Sequence, residues 1–525
     1  MKIKLINVVR LERYTFPPYA LGLLNTHLKK KNVDTELFDL DIIVKTFNSK
    51  RNNKIDLNYL RKKLWNIPEY LRNKDEDPYL EEQIDRILSL LPIKSNEILA
   101  FHIPHTEINF SLLLAKRLRE KKHNPIIMGG IEIKRKSEEH LKDLISKLKI
   151  DYIDYFVIGE AYTFLNKLLN NELPLFSKTP IISSEKKELS NADWSVPEFN
   201  KSHIKLYKVR PEKAKFFFPE LPTTVLEKFN ELKGAKTPLV IPYRFQFGCN
   251  NNCAYCGYNK KPQKLPADKA FTDIEYLNKK YKTNNFYFLN TNIAFEKEHN
   301  TKLLPRLKDE FNIKWSDTAN INMVTPETIK KFAKSGCIEL FMGIATASKK
   351  LHNYVGRAPK NNPIRHFSDC FKAADKRGIW TVTDFIFGLP YETNEDIAQT
   401  RDFLLDNKKY INGILANRFI MMKGSPFAKN PLKYALRLHH HKSSVDNIRN
   451  NPEILKENFG GLEFDELHGL NSRDRQKKTQ ITSPYFNNLI KKEFPQNIYT
   501  WYPIFMLYNN FDSKKDIKKF LSPTK

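Results

Sequence analysis

The chain is 525 residues long, enough for two or three domains each with its own core, and its 41% hydrophobic and 12% aromatic content excludes an intrinsically disordered protein. No stretch approaches the roughly 18 uninterrupted apolar residues of a membrane span, and five cysteines make a disulfide framework improbable once three are committed to one loop. The formal charge of +28 comes from lysines spread along the whole chain, as in Lys29-Lys30-Lys31-Asn32 and Lys349-Lys350, which favours dispersed solvated lysine and leaves a nucleic-acid surface as the alternative.

The opening Met1-Lys2-Ile3-Lys4-Leu5-Ile6-Asn7-Val8-Val9-Arg10 has too short an apolar run and no small-residue cleavage site, so a first strand is expected there rather than a signal peptide. Further strands are expected at Thr35–Phe38, Ile98–His102, Ile126–Met128 and Tyr155–Ile158. Helical stretches separate them: Phe110, Leu113, Leu114 and Leu118 recur at i, i+3, i+4 and i+8, on one helix face. Such alternation predicts a parallel sheet wrapped by helices, whose ligands bind at the carboxyl ends of the strands. Three loops there are chemically suggestive: Phe16-Pro17-Pro18-Tyr19-Ala20-Leu21-Gly22-Leu23, Phe101-His102-Ile103-Pro104-His105-Thr106 and Met128-Gly129-Gly130. Val157-Ile158-Gly159-Glu160 ends the series.

Residues 171–240 are rich in Pro, Lys and Ser and carry Ser183-Ser184-Glu185-Lys186-Lys187 and Phe218-Pro219-Glu220-Leu221-Pro222, which predicts a linker. Interdomain packing is sufficient to explain Trp194 within it.

The run Tyr243-Arg244-Phe245-Gln246-Phe247 then empties through Gly248 into a loop with Cys249, Cys253 and Cys256, spaced C-x3-C-x2-C. Three thiolates on one tight loop suit three irons of a cubane cluster and leave the fourth iron open. The alternative is a zinc site, which ordinarily closes with four ligands. No His or further Cys lies close behind Cys256 to supply the fourth. Beyond the loop, strands are expected at Phe286–Leu289, Ile313–Ala319, Ile338–Ile344, Trp380–Phe387 and Ile414–Met421. Helices fall between them, among them Pro326–Ser335 with Thr325 as N-cap and Pro at the first position. Residues 429–525 are expected to be mostly helical, their aromatics Tyr485, Phe486, Tyr499, Trp501, Tyr502 and Phe505 forming a small cap on the barrel mouth. His439-His440-His441 cannot all point one way on a helix, which argues against a metal site.

The C-x3-C-x2-C spacing, with Tyr255 just before the third Cys, resembles the signature of the radical S-adenosylmethionine (SAM) enzymes. In that family SAM chelates the open iron through its amino and carboxylate groups, and the reduced cluster cleaves it to a 5′-deoxyadenosyl radical. The order of loops before residue 165 resembles the cobalamin-binding domain that precedes the barrel in one large class of these enzymes, and Ala192–Phe199 resembles the aromatic segment that bridges the two. The resemblance implies an α/β protein: a Rossmann-like cobalamin-binding-type domain (1–170), a linker (171–240), a partial (βα)6 barrel (241–428) and a helical carboxy-terminal cap (429–525). It implies a [4Fe–4S] cluster on Cys249, Cys253 and Cys256. SAM contacts are implied at Tyr255, at Asn290 and Thr291 for the amino group, at Asn320, and at Gly388 and Leu389, whose Gly388-Leu389-Pro390-Tyr391-Glu392-Thr393 is close to the family's Gly-Leu-Pro-x-Glu-Thr. Phe341–Ser348 resembles the family's Gly-Ile-Glu-Ser-Gly-Ser stretch, but Ala345 stands where a Glu is expected, so a ribose contact would be lost or moved to Thr346 or Ser348. Cobalamin contacts are implied at Pro18, Gly22, His102, Thr106, Gly129, Gly130, Gly159 and Glu160. The cobalt-ligating D-x-H-x-x-G motif is absent, as is usual in this class.

The function expected from this resemblance is radical chemistry, foremost methyl transfer, on an unactivated carbon of a peptide or natural product, fed by a reductant such as flavodoxin or ferredoxin in the cytoplasm. The alternatives are a rearrangement or cyclisation without methyl transfer, RNA modification, and a SAM- or cobalamin-sensing protein without turnover. No cysteine precedes Cys249, so the second cluster of the tRNA methylthiotransferases has no ligands here. Cys337 and Cys370 alone cannot build the extra clusters of the auxiliary-cluster peptide maturases.

Overall fold

The computed structural model describes residues 2–10, 16–63, 70–71, 77–104, 108–130, 133, 138–159, 161–185, 195–249, 251–257, 262–357, 363–422, 424–439 and 462–522. They divide into two units: one of residues up to Val209 with Phe216–Pro219, the other of Arg210–Lys215 with the described residues from Glu220 onward.

In the first unit, β1 (Lys2–Asn7), β2 (Asp34–Asp39), β3 (Glu97–His102), β4 (Ile126–Gly129), β5 (Tyr155–Gly159) and β6 (Ile181–Glu185) form one parallel sheet in the order β2-β1-β3-β4-β5-β6. The order reverses between β1 and β3, which makes their carboxyl ends the switch point where such sheets bind ligands. Helices bury the sheet: Phe110, Leu113, Leu114 and Leu118 of the helix Ile108–Lys121 all enter the core, as their spacing predicts. Strand β6 lies inside the stretch predicted to be linker. It is a short edge strand with a half-buried Ile181-Ile182-Ser183, so neither the alternation nor the continuous apolar run of a central strand marks it.

In the second unit, β7 (Val240–Tyr243), a two-residue ribbon of β8 (Gln246–Phe247) and β9 (Gln263–Lys264), and then β10 (Asn285–Phe288), β11 (Lys314–Asn320), β12 (Cys337–Gly343), β13 (Trp380–Phe387) and β14 (Gly413–Arg418) follow in order. The six longer strands pair in parallel as β14-β13-β12-β11-β10-β7. The alternating run Tyr243–Phe247 is therefore not one strand. Val240–Tyr243 enters the sheet, and Gln246–Phe247 turns away to pair with Gln263–Lys264. Because each strand pairs with its predecessor, right-handed crossovers put every intervening helix on the same face, and the other face curls round a lumen. The helices are well terminated. Thr325 Oγ1 accepts from Thr328 N at 3.2 Å, and Thr393 with Asp396 closes a capping box over Asn394–Asp406.

After β14 come the antiparallel pair β15 (Leu436–Leu438) and β16 (Phe464–Glu466), then helices Ser472–Glu493, Trp501–Asn510 and Lys514–Leu521. Of the expected cap, Phe486 of the helix Ser472–Glu493 packs on Phe385 and Phe387 of β13, whereas the last two helices close the end opposite the barrel mouth. Trp501 stacks on Tyr287 with centroids 4.5 Å apart, Tyr502 Oη donates to Pro238 O at 2.7 Å, and Tyr508 Oη donates to Gly378 O at 2.6 Å. Asn509 Nδ2 reaches Asn285 Oδ1 at 2.9 Å and Lys514 Nζ reaches Ile379 O at 2.7 Å. Apart from Tyr287, every partner lies at the amino-terminal start of a strand or just before it, so these helices floor the lumen. Among the described residues no helix is long and apolar enough to cross a membrane.

Candidate functional site

Gly248, at φ +86°, takes the left-handed turn that lets β8 swing into the cysteine loop, and its N–H donates to Thr291 Oγ1 at 3.2 Å. The loop is then sewn to its surroundings by backbone bonds. Ala254 N donates to Val355 O and Phe427 N donates to Ala254 O, both at 2.9 Å, while Cys256 N closes on Cys253 O at 3.0 Å. Asn251 N donates to Cys249 Sγ at 3.4 Å. Cys253 is buried; Cys249 and Cys256 are half-buried. Ala254 belongs to an apolar cluster with Leu351, Val355, Leu389, Phe419 and Phe427, which fixes the loop beside the carboxyl ends of the strands. Among the described residues no three His, Cys, Asp or Glu side chains converge to hold one metal ion; thiols that bind separate corners of an iron–sulfur cube need no such convergence.

Beside the loop lies a buried guanidinium that the sequence reading missed. Arg357 is 9% exposed. Its Nη1 donates to Tyr255 Oη at 2.9 Å, and its Nη2 donates to Asn320 Oδ1 at 3.1 Å and to Gly343 O at 2.6 Å. Its Nε has no partner. Burial would lower its pKa, but Tyr255, Cys253 and Asp384 together hold it charged. Burial pushes the Cys253 thiol up and Arg357 draws it back down, while burial also raises the Asp384 carboxyl against the pull of Arg357. Nothing in the Tyr354-Val355-Gly356-Arg357 sequence distinguishes this arginine from the other 87 basic residues of a chain holding 88.

The residues predicted to meet SAM fare unequally. Asn320 ends β11 and faces Arg357, as just described, and Tyr255 adjoins the same group. Asn290 and Thr291 follow β10, but their side chains are engaged: Asn290 Oδ1 accepts from Phe245 N at 3.1 Å and Gln246 N at 2.8 Å, and Thr291 holds Gly248. A ligand ammonium at that strand end would therefore meet backbone carbonyls rather than the Asn290 amide oxygen. Thr346 and Ser348 are fully buried. Thr346 Oγ1 lies 3.3 Å from Thr400 Oγ1, and Ser348 Oγ donates to Asp396 Oδ1 at 2.5 Å while capping the helix Lys349–Tyr354. The expected relocation of a ribose contact to Thr346 or Ser348 is not supported, because both hydroxyls are spent on the Asn394–Asp406 helix. Ala345 itself is buried at φ +62°. Gly388, at φ +78°, donates its N–H to Glu392 Oε2 at 2.6 Å, and Leu389 is in the apolar cluster beneath the loop. Burial raises the Glu392 carboxyl to about 7.

In the first unit the carboxyl edge of the sheet gathers a polar chain. Asn7 Nδ2 donates to Asp39 Oδ1 at 2.9 Å, so Asn7 Oδ1 is an acceptor and His102 Nδ1, at 3.1 Å, is its donor. Tyr207 Oη donates to Asp39 Oδ2, and burial with the adjacent Asp41 raises the Asp39 carboxyl to about 7. Gly129 ends β4 opposite His102; Gly130, at φ +119°, and Gly159, at φ +102°, take turns that side chains resist. A Cβ on Gly130 would lie 2.6 Å from Ile103 O. Pro18 caps the helix Tyr19–Lys30. Gly22 serves packing instead: a Cβ there would meet Phe199 Cε1 at 2.8 Å and Pro197 Cβ at 2.9 Å. Thr106, Glu160, His105 and Trp194 lie outside the described residues.

Residues 243–404 match the Radical SAM superfamily. Over 161 residues the chain is 25% identical to the "Uncharacterized methyltransferase PH0819" of Pyrococcus horikoshii, a match covering 30% of this chain and 34% of that protein. The match thus spans about a third of the length of that curated relative. The fold is similar to that of the radical S-adenosylmethionine methyltransferase TsrM from Kitasatospora setae. The TM-score is 0.52 at 12% identity, over 84% of this chain and 79% of that one, for the structure with tryptophan and a SAM analogue. For TsrM with cobalamin and a [4Fe–4S] cluster it is 0.51 at 12% identity, over 84% and 77%.

Proposed function

We propose that this chain, whose residues 243–404 form a radical SAM domain, is a cobalamin-dependent radical SAM enzyme that transfers a methyl group to an unactivated carbon of a peptide or natural product. The observation that carries the reading is the seat of the cysteine loop. Three thiols stand where six parallel strands end, beside a buried cation, over a lumen floored at its far end. The donor set fits a cluster, since soft thiolates are its natural ligands and a positive group next to Cys253 favours the thiolate over the thiol. When bound, the cluster supplies one electron to SAM and cobalamin carries the methyl group.

The chain's own residues do the rest. Cys249, Cys253 and Cys256 would hold three irons, and the backbone bonds of Ala254 and Phe427 fix the loop against displacement. Asn320 and the backbone after β10 would orient SAM at the strand ends. The floor built by Trp501 and Tyr502 keeps water out of the lumen from below, which radical chemistry requires. At the edge of the first sheet, His102 and the turns at Gly129, Gly130 and Gly159 lie at the carboxyl ends of the strands, where a corrin would bind. Methyl transfer is preferred over rearrangement because the likeness to TsrM extends over both units and the curated relative is called a methyltransferase.

The test is anaerobic reconstitution with iron, sulfide and hydroxocobalamin. About four irons per chain, a corrin spectrum and 5′-deoxyadenosine release on reduction with SAM are expected, with cluster absorbance and SAM cleavage lost in Cys253→Ala. SAM cleavage that survives in Cys253→Ala overturns the reading; a four-iron chain that takes up no corrin overturns its methyl-transfer half.

A further inference from the structure

Three strand ends of the first unit stand in one row. Asp39, Asn7 and His102 close β2, β1 and β3, and each is in register with the next across the sheet. Parallel register puts the three side chains on one face, where they bond to one another sideways. Asp39 Oδ1 accepts from Asp41 N at 3.1 Å and from Ile42 N at 3.4 Å as it caps the helix Leu40–Lys50, so that oxygen is an acceptor whichever way the carboxyl is protonated. Asn7 must therefore turn its amide N–H to Asp39, at 2.9 Å, and its oxygen to His102 Nδ1, at 3.1 Å. That places the proton of a neutral His102 ring on Nδ1 and the lone pair on Nε2. Asn7 and Asp39 are buried and His102 is half-buried, so of the three only the histidine can meet a ligand. Gly130 keeps the ring in place: a Cβ there would lie 3.1 Å from His102 Cδ2, the carbon bonded to Nε2.

We propose that His102 Nε2 is a ligand of the cobalt in this chain's cobalamin, with Asn7 and Asp39 as the positioning residues that fix the tautomer and the ring. The inference rests on the cobalamin half of the reading above and adds to it which protein atom meets the metal. An imidazole nitrogen is a good donor to a first-row transition ion, and a ligating ring ordinarily gives its other N–H to an acceptor that orients it. Asn7 Oδ1 is that acceptor, and Asp39 holds Asn7 in turn. Coordination gives the Nε2 lone pair to cobalt and leaves the proton on Nδ1, so no proton has to move. The row also stands in the right place, since His102 ends one of the two strands that flank the switch point of the sheet. A histidine that merely closed a strand would need one partner. Here a helix cap, a buried carboxyl and a buried amide are lined up behind a single ring.

The experiment is EPR spectroscopy of cob(II)alamin on the full chain, reconstituted with hydroxocobalamin and reduced, once unlabelled and once with its histidines labelled with nitrogen-15. One ligating imidazole nitrogen splits each cobalt line of the unlabelled complex into a triplet, and the label is expected to turn the triplets into doublets. The cofactor's own benzimidazole stays unlabelled, so the label tells the two bases apart. His102→Gln is expected to keep the corrin and lose the splitting. Asn7→Leu, which releases the ring, is expected to lower the ratio of nitrogen-ligated to unligated cob(II)alamin about tenfold, the low end of what losing the group that orients a ligating histidine costs. Triplets that persist in the labelled chain assign the ligand to the cofactor's base and overturn the proposal, as does a spectrum without nitrogen splitting. Doublets that survive in His102→Gln overturn it by assigning the ligand to another of the 13 histidines. An unchanged ratio in Asn7→Leu overturns the part given to Asn7. In each of these cases the cobalamin reading stands; a wild-type chain that takes up no corrin overturns both.

Discussion

Asn290 Nδ2 donates to Asp317 Oδ2 over 2.7 Å, and both side chains are buried. Through its other amide atom Asn290 holds the backbone of Phe245 and Gln246, the two residues that lead into Gly248 and the cysteines. Asn290→Ala leaves two buried N–H groups without a partner and takes one donor from the Asp317 carboxyl, which keeps the N–H of Thr318. The expected loss is about 3 kcal/mol in urea denaturation, with lowered iron content after reconstitution. Full iron occupancy at wild-type stability would show that the loop does not depend on this amide.

Glu339 is 2% exposed and accepts from Ser316 Oγ at 2.6 Å. Burial raises its carboxyl from 4.5 to about 8. Between those values the unfolded chain has released the proton and the folded chain has kept it, so stability falls as pH rises through the window. Glu339→Gln keeps a hydrogen-bonding group and removes the titration. Its stability relative to wild type is expected to improve from about pH 5 to about pH 8 by an amount on the order of 2–4 kcal/mol. Parallel stability curves for the two proteins would refute this.

A Cβ on Gly343 would stand 2.6 Å from Asp384 Oδ1, and Gly343 O accepts from Arg357 at 2.6 Å. Gly343→Ala is expected to cost about 1–3 kcal/mol by forcing Asp384 aside. Shortening the obstacle should relieve it, so Gly343→Ala combined with Asp384→Ser is expected to lose less than the sum of the single changes. Strict additivity in thermal unfolding would show that the clash is absorbed elsewhere.

Trp501 is 8% exposed and lies flat on Tyr287, with an interplanar angle of 10°. Trp501→Ala opens the floor of the lumen and is expected to cost about 3–5 kcal/mol. It should also raise the exposure of Tyr287, readable as increased acrylamide quenching of tyrosine fluorescence. Unchanged quenching with unchanged stability would place the floor elsewhere.

Much of this architecture is legible in the chain because its strands are central and apolar. Phe286, Phe288, Trp315 and Trp380 are fully buried, and the runs that contain them stand out against lysine-rich helices. The cysteine loop announces itself by spacing. What escapes is whatever depends on distance in sequence. Arg357 meets Tyr255 across 102 positions. The floor meets β10 across 224 positions, through Asn509 and Asn285. Thr346 and Ser348 carry the right atoms in the right stretch, yet their neighbours Thr400 and Asp396, invisible to a local reading, claim them first. The edge strand β6 escapes for a different reason: half-buried side chains beside prolines and serines leave no period to detect.

The placement of the floor also bears on how the protein is made. Strands β7 to β14 can pair one after another as the polypeptide leaves the ribosome, because each neighbour in the sheet is also the previous strand. Trp501, Tyr502 and Tyr508 are translated only after the last of them, so the nascent sheet waits with the amino-terminal end of its inner face uncovered until that segment emerges. The amino-terminal end of the lumen is thus closed by residues that follow the last strand in chain order.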